Sequence, residues 1–107
     1  MKASKFLIRG HQGKIGSTLY RALNQLNHSV VGMNRQPIPE QIYQHKPDII
    51  IDVTSALTIH QSMPHYIQSL VPVIIGTSGI TPQQAIDYCK QSSQLYIVPN
   101  FSLSFHS

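Results

Sequence analysis

Three glycines at a spacing of three residues follow a short apolar run, and this junction constrains the fold of the chain most. The run is Phe6-Leu7-Ile8, the glycines are Gly10, Gly13 and Gly16, and the amphipathic stretch "KIGSTLYRAL" overlaps the last of them. The order predicts a β-strand that passes through a tight loop into an α-helix. The spacing is G-x-x-G-x-x-G rather than G-x-G-x-x-G.

The same alternation continues along the chain. Predicted strands cover residues 5–9, 29–33, 48–53, 72–76 and 95–98, and predicted helices cover 14–26, 56–69 and 82–93. Residues 34–47 contain early prolines and no strand-like run, which indicates a loop with at most one short helix. Pro64 predicts a kink or break near Met63. We expect a Rossmann-like, doubly wound α/β domain with a parallel sheet of about five strands, ordered 2-1-3-4-5, and helices on both faces.

Length and hydropathy limit the class of protein. At 107 residues the chain predicts one domain, 1–107, which is short for a dehydrogenase with separate cofactor and substrate domains. No apolar run approaches the roughly 18–20 residues that span a membrane. The N-terminus passes directly into the first predicted strand and leaves no room for a targeting peptide. We therefore expect a soluble, cytoplasmic protein without membrane contact.

Charge and cysteine content argue against further kinds of site. The net charge is +4, but the eight Lys and Arg residues are scattered, which argues against nucleic-acid binding and still suits a small polyanionic ligand. The single Cys89 excludes an internal disulfide and is expected to be structural. No His, Cys and carboxylate residues have the spacing of metal ligands, so no metal is expected.

Two interpretations of the glycine loop stay open. In a nucleotide-binding loop, the first glycine permits the turn, the next lets the backbone approach a pyrophosphate, and the last lets the helix pack closely on the strand. The helix N-terminus then offers N–H groups and partial positive charge to the phosphates. In the other interpretation, the glycines serve only a tight turn from strand to helix.

The residues after the second predicted strand favour the nucleotide interpretation. Dinucleotide-binding domains usually carry there an acid that binds the ribose 2′-hydroxyl, whereas this chain has Asn34 followed by Arg35. Asparagine does not repel a phosphate, and a guanidinium can bind one through two hydrogen bonds. The pair favours NADPH over NADH, unless it merely begins a solvated turn.

Small and hydroxyl-bearing residues follow three further predicted strands. They form the segments "DVTS" at 52–55, "GTSG" at 76–79 and "PNFS" at 99–102. Ligands of open parallel sheets bind beyond the carboxyl ends of the strands, so these segments are candidates for one site. Each has an alternative role, because Thr54-Ser55 and Thr77-Ser78 are also common helix-capping residues.

Four segments of the chain resemble the N-terminal domain of dihydrodipicolinate reductase, the NAD(P)H-dependent enzyme of lysine biosynthesis through diaminopimelate. They are "GHQGKIG", "DIIIDVTS", "IIGTSGI" and "VPNFSLS", which are similar to the family patterns G-x-x-G-x-M-G, D-V-x-I-D-F-T, I-G-T-T-G-F and A-N-F-S-x-G. The resemblance runs from about Phe6 to Leu103.

The resemblance implies a dinucleotide site for NADPH, or else NADH. The loop 10–15 would hold the pyrophosphate, Asn34 and Arg35 the adenosine ribose and its 2′-phosphate, and residues 76–78 and 98–101 the nicotinamide end. No catalytic residue is implied within the chain. The implied cofactor-binding residues are Gly10, His11, Gln12, Gly13, Lys14, Ile15, Asn34, Arg35, Thr54, Gly76, Thr77, Ser78, Val98, Pro99, Asn100 and Phe101.

Departures from the family pattern limit what carries over. Asn34 replaces the family's acid, Ser104 replaces a glycine, and the shortened stretch before Asp48 suggests that one edge strand is lost. The family's catalytic His-His-x-x-Lys sequence and Pro-Ser-Gly-Thr loop, which belong to a second domain, do not occur in the chain. The six histidines include no adjacent pair and are expected at the surface, with His11 a candidate phosphate neighbour.

Three hypotheses of function follow. The first is the NADPH-binding domain of a dihydrodipicolinate reductase, inactive alone. The second is a non-catalytic module of that origin which senses a nucleotide or associates with a subunit that supplies the catalytic domain. The third, a fragment of an extended short-chain dehydrogenase, is disfavoured because no tyrosine is followed by lysine four residues later. The apolar Leu103 and Phe105 predict self-association or segment exchange.

Overall fold

A five-stranded parallel sheet forms the centre of the protein. The computed structural model describes residues 3–99, in which strands and helices alternate. The elements are β1 Lys5–Arg9, α1 Lys14–Gln25, β2 Ser29–Gly32, α2 Ile38–His45, β3 Ile49–Asp52, α3 Ala56–Ser69, β4 Val73–Thr77, α4 Pro82–Gln91 and β5 Leu95–Pro99. The strand order is β2-β1-β3-β4-β5, which confirms the predicted Rossmann-like fold. The stretch between β2 and β3 holds the one short helix that the sequence allows.

Helices lie on both faces of the sheet, and they divide the core into two clusters. Of the four helices within residues 3–99, α1 packs against one face of the sheet, through Leu19, Tyr20 and Leu23. The other face carries α2, α3 and α4 and the larger cluster, which includes Leu7, Met33, Ile38, Ile50, Ile59, Met63, Tyr66, Val73, Ile75, Ile80 and Leu95. Because side chains alternate along a strand, Tyr96 and Val98 of β5 lie on the α1 face, where they are 56% and 40% exposed.

Two helices of this second face, α3 and α4, begin at side-chain caps. The Ser55 hydroxyl accepts a hydrogen bond from the Thr58 N–H and starts α3. At the start of α4, the side chains of Thr81 and Gln84 each accept a hydrogen bond from the other's backbone N–H, which forms a capping box ahead of Pro82. Within residues 3–99, no helix has the length and apolar character that crossing a membrane requires.

Pro64 does not interrupt α3, so the predicted break near Met63 is wrong. The helix is continuous from Ala56 to Ser69 with the proline inside it. Met63 and Tyr66 are both buried and fix the helix against the sheet, whereas Pro64 is exposed. The proline removes one N–H donor to the carbonyl of His60, and burial of the two large neighbours outweighs that loss.

Candidate functional site

The first and third glycines of the loop are required by the fold itself. Gly10 has φ +89°, a conformation that side chains rarely adopt, and a Cβ there would lie 3.2 Å from Thr54 Cγ2. Gly16 lies in α1, and a Cβ there would overlap the Gly10 carbonyl oxygen and lie 2.8 Å from His11 Cα. The start of α1 therefore touches the turn after β1 through bare backbone.

The middle glycine is different, because the fold leaves room for a side chain. Gly13 is the N-cap residue of α1, and its N–H donates to the Gly10 carbonyl at 3.1 Å. A Cβ on Gly13 would lie 3.4 Å from that oxygen, an ordinary contact. This end of α1 has neither a side-chain cap nor an acid in its first turn, which includes Lys14 and Ile15. An anion can therefore approach the helix N-terminus.

A cleft of about 610 Å³ joins the glycine loop to the end of β2. Its lining contains two arginines and no carboxylate. The imidazole of His11 lies against the end of β2, so close that a Cβ on Gly32 would be 2.5 Å from the ring. The lining residues are Arg9, His11, Gln12, Gly32, Met33, Asn34 and Arg35.

The loop that follows β2 is held by a residue that the sequence analysis missed. Gln41 of α2 is only 1% exposed. Its Oε1 accepts from the Asn34 N–H at 2.9 Å, and its Nε2 donates to the carbonyls of Asn34 and Gln36 at 3.2 and 2.7 Å. No pattern in the sequence distinguishes this glutamine from its neighbour Gln44, since only the folded loop supplies its partners.

The side chain of Asn34 is oriented by the same loop. Its Oδ1 accepts a hydrogen bond from the Gln36 N–H at 2.8 Å. The amide Nδ2 group remains to donate to a ligand, and the guanidinium of the exposed Arg35 can only donate. The end of β2 therefore presents hydrogen-bond donors, where an acidic residue would present acceptors.

A buried carboxylate at the carboxyl edge of the sheet connects β3 to β1 and α3. Asp52, at the end of β3, is fully buried; its Oδ1 accepts from the Thr54 N–H at 2.9 Å, and its Oδ2 accepts from the Tyr66 hydroxyl at 2.6 Å. The Arg9 guanidinium lies 3.8 Å from Asp52 Oδ2 and also donates to the Ser62 hydroxyl. Burial, and then the negative charge of Asp52, raise the pKa of Tyr66 far above its ordinary value.

This network decides what Thr54 can offer a ligand. The Thr54 hydroxyl donates its one proton to Asp52 Oδ1 at 2.5 Å. Toward a ligand its oxygen can therefore act only as an acceptor, which suits a ribose hydroxyl or an amide N–H rather than a phosphate oxygen. Thr54 also contacts the glycine loop at Gly10.

The ends of β4 and β5 lie side by side at the same edge. The sheet pairs Gly76 with Val98 and Thr77 with Pro99. Gly76 is buried, Thr77 accepts a 3.4 Å hydrogen bond from the Gly79 N–H, and Ser78 is exposed. The remaining predicted site residues, Asn100 and Phe101, lie outside the described residues, as do Ser104, Leu103 and Phe105.

Two of the histidines expected at the surface, His28 and His60, are less exposed than predicted. The Nδ1 of His28 accepts from the Ser4 N–H at 3.0 Å, and the Nδ1 of His60 lies 2.5 Å from the Tyr88 hydroxyl. Both rings are half-buried. Grooves of about 320 and 280 Å³ lie along the helices, and none of the predicted cofactor residues lines them.

One protein-family model matches most of the chain. The family described as dihydrodipicolinate reductase, N-terminus, matches residues 26–101. The match includes the ends of β2, β3 and β4, and it begins after the glycine loop. No curated protein sequence matches the chain significantly.

Solved structures share the fold at low sequence identity. The UDP-rhamnose synthase of Acanthamoeba polyphaga mimivirus has a TM-score of 0.56 and 18% identity over 74% of this chain and 38% of its own. The dTDP-4-dehydrorhamnose reductase of Bacillus anthracis, solved in complex with NADP, has a TM-score of 0.63 and 11% identity over 92% of this chain and 54% of its own. The chain thus spans well under two thirds of either enzyme.

A receiver domain also has a similar fold. The NtrC receiver domain has a TM-score of 0.70 and 17% identity over 99% of this chain and 90% of its own. Two enzymes and a receiver domain are therefore similar in fold to this chain, and the fold by itself does not distinguish their functions. The family match and the strand-end residues do, and on these grounds the chain, a Rossmann-like nucleotide-binding domain, belongs to the family of the dihydrodipicolinate reductase N-terminal domain.

Proposed function

We propose that this domain binds NADPH in preference to NADH. The observation that carries the proposal is the cleft that joins His11 and Gln12 of the glycine loop to Asn34 and Arg35. Its position beyond the carboxyl ends of β1 and β2 is that of the adenosine half of a dinucleotide in doubly wound folds. When bound, the nicotinamide would supply a hydride; the chain's own residues bind and orient the nucleotide.

The pyrophosphate fits the glycine loop. At the N-terminus of α1, backbone N–H groups and the helix dipole favour negative charge, and no acidic side chain of the first turn competes for them. Gly13 has no side chain that would keep a phosphate away from this backbone. The exposed Lys14 follows directly and adds a positive charge.

Selectivity for the 2′-phosphate follows from the donors at the end of β2. Asn34 Nδ2 and the Arg35 guanidinium both donate, and a phosphate has only acceptors to offer near neutral pH. NADH offers a neutral hydroxyl there, for which no carboxylate of the cleft lining is available as acceptor. NADPH therefore gains a charge-assisted contact that NADH lacks.

Calorimetric titration of the full chain with NADPH and with NADH tests the proposal. Wild type should bind NADPH more tightly. Arg35→Ala should weaken NADPH binding roughly 10- to 100-fold, the equivalent of the roughly 1.5–3 kcal/mol typical of hydrogen bonds to charged groups. NADH affinity should change little.

Arg21→Ala is the matched control, because Arg21 is an exposed arginine of α1 outside the cleft lining. It removes the same charge and should leave both affinities close to wild type. Wild-type protein that binds neither nucleotide, or an Arg35→Ala variant with unchanged NADPH affinity, would overturn the proposal.

At the level of the whole enzyme, we propose the cofactor domain of a dihydrodipicolinate reductase of lysine biosynthesis, acting in the cytoplasm. Residues 1–107 contain no His-His-x-x-Lys sequence. In this proposal they hold the nucleotide without reducing substrate by themselves, and turnover should require a catalytic domain in addition to them. The alternative, a nucleotide-sensing or subunit-interaction module, predicts nucleotide binding that no such domain converts into activity.

Self-association is a further proposal, tested by light scattering at high concentration.

A further inference from the structure

We propose that Gln41, which lies outside the cleft lining, sets the preference for NADPH by positioning the loop 34–36. This inference rests on the proposed function and deepens it. Asn34 and Arg35 would touch the 2′-phosphate, whereas Gln41 acts through them and is a positioning residue.

The chemistry of the glutamine side chain matches the loop backbone. One N–H and two carbonyls of residues 34–36 face Gln41, and a carboxamide has one acceptor oxygen and two N–H donors. Every polar group of the Gln41 side chain is thereby used. Glutamate, of the same shape, would lose both donors when ionised, and leucine or methionine would lose all three bonds.

Burial makes these bonds decisive for the loop. Gln41 is 1% exposed, so water cannot readily replace the bonds when the amide is removed. Asn34, Arg35 and Gln36 are exposed, and so they add no buried side chain that would hold the loop. Beside it, the Met33 N–H bonds to the Ile8 carbonyl and the Pro37 carbonyl accepts from the Gln41 N–H, which fixes the two ends. In the middle, the bond from the Gln36 N–H to Asn34 Oδ1 stays within the loop, whereas the glutamine side chain ties the loop to α2.

The consequence differs for the two nucleotides. Loss of the three bonds would let the Asn34 and Arg35 backbone move away from the 2′-phosphate position. NADPH would lose a preorganised pair of hydrogen-bond donors for its 2′-phosphate. NADH has no 2′-phosphate, and its pyrophosphate would still bind at the glycine loop. Removal of Gln41 should therefore change the ratio of the two affinities. A defect that only loosened the fold would lower both alike.

The test compares Gln41→Met with Gln44→Met in the full chain. Gln44 lies one helical turn away on α2 and is exposed, so it controls for a glutamine-to-methionine change in the same helix. Calorimetry should find NADPH affinity about tenfold lower in Gln41→Met, NADH affinity within about twofold of wild type, and both affinities unchanged in Gln44→Met. Gln41→Glu should reproduce the loss for NADPH.

Amide hydrogen exchange adds a measurement that needs no ligand, and its first part uses wild-type protein only. In wild type, the Asn34 N–H should be protected, since it donates to Gln41 Oε1. In Gln41→Met the protection should disappear while that of the β1 and β3 amides remains. Fast exchange of this amide in wild type would itself overturn the proposal.

The outcomes separate the two proposals. If wild type binds NADPH selectively and folded Gln41→Met keeps the same NADPH-to-NADH ratio, or loses both affinities equally, only the role of Gln41 is overturned. If wild type binds neither nucleotide, the proposed function fails and this inference fails with it.

Discussion

The hydroxyl of Tyr66 donates a 2.6 Å hydrogen bond to the carboxylate of Asp52, and both side chains are fully buried. The bond joins the middle of α3 to the carboxyl end of β3. Asp52 in turn holds the backbone and hydroxyl of Thr54. The packing of α3 is thus connected to the edge of the sheet at which a nucleotide would bind.

The buried tyrosine predicts a loss of stability in alkali. The pKa of Tyr66 is raised in the folded state, first by burial and then by the charge of Asp52. Above the unfolded value of about 10, the unfolded chain loses a proton that the folded chain keeps, so the free energy of unfolding falls as pH rises. Denaturant unfolding from pH 8 to 11 should reveal this decline.

Tyr66→Phe should remove that part of the decline and lower stability at neutral pH by about 1–3 kcal/mol, because buried Asp52 loses a donor. Tyr43→Phe is the control, since Tyr43 is 81% exposed and should keep the wild-type slope. Equal slopes in wild type and Tyr66→Phe would contradict the assignment.

Alanine at the middle and third glycines should separate binding from folding. Gly13→Ala should lower the free energy of unfolding by no more than about 1 kcal/mol, because its Cβ meets nothing closer than 3.4 Å. Gly13→Ala should lower the affinity for NADPH at least tenfold, since the methyl group would lie where the pyrophosphate approaches. Gly16→Ala should cost about 3 kcal/mol or more, because its Cβ overlaps backbone. Chemical denaturation and calorimetry measure the two effects. Similar stability losses in both variants would refute this division of roles.

Replacement of Thr54 by valine should lower the affinities for NADPH and NADH by a similar factor. Thr54 lies beside Gly10 and outside the cleft lining that includes Arg35, so its acceptor oxygen would meet a part that both nucleotides share. Arg35→Ala should instead weaken NADPH selectively. Titration of both variants with both nucleotides distinguishes the patterns, and a selective loss of NADPH in Thr54→Val would place this residue at the wrong end of the nucleotide.

The capping box predicts a stability effect without a binding effect. The Thr81 hydroxyl accepts from the Gln84 N–H at 3.1 Å, and Gln84 Oε1 accepts from the Thr81 N–H at 2.9 Å. Thr81→Ala should lower the free energy of unfolding by about 1 kcal/mol, whereas Thr81→Ser should retain it. Thermal unfolding of the two variants compares them, and equal stability in both would argue against the cap.

The sequence was sufficient to predict the sheet, because local signals specify it. Apolar β-branched runs and the Gly10 turn locate β1, β3 and β4, and the helix ends differ from the predicted ends by one residue at α1 and two at α4. A parallel sheet with helical connections then leaves few strand orders. Asn34 and Arg35 were predicted as site residues because they follow a strand at the expected distance, and the structure places both in the lining of the cleft.

The supporting contacts could not be predicted in the same way. Arg9, Asp52 and Tyr66 are far apart in sequence and meet only when α3 packs on the sheet. Gln41 depends on α2 folding back onto the loop before it. The wrong prediction of a helix break near Pro64 has a similar origin, since the local rule about proline takes no account of the burial of its neighbours on the same helix.

The backbone contact between Gly10 and Gly16 has a consequence for how such loops change over generations. A descendant that had stopped binding a nucleotide would still be destabilised if either glycine gained a side chain, so selection for folding alone would preserve both. Only Gly13 would be released to vary. In chains that share this loop, the residue at the position of Gly13 is therefore the one whose identity indicates whether a nucleotide is still bound.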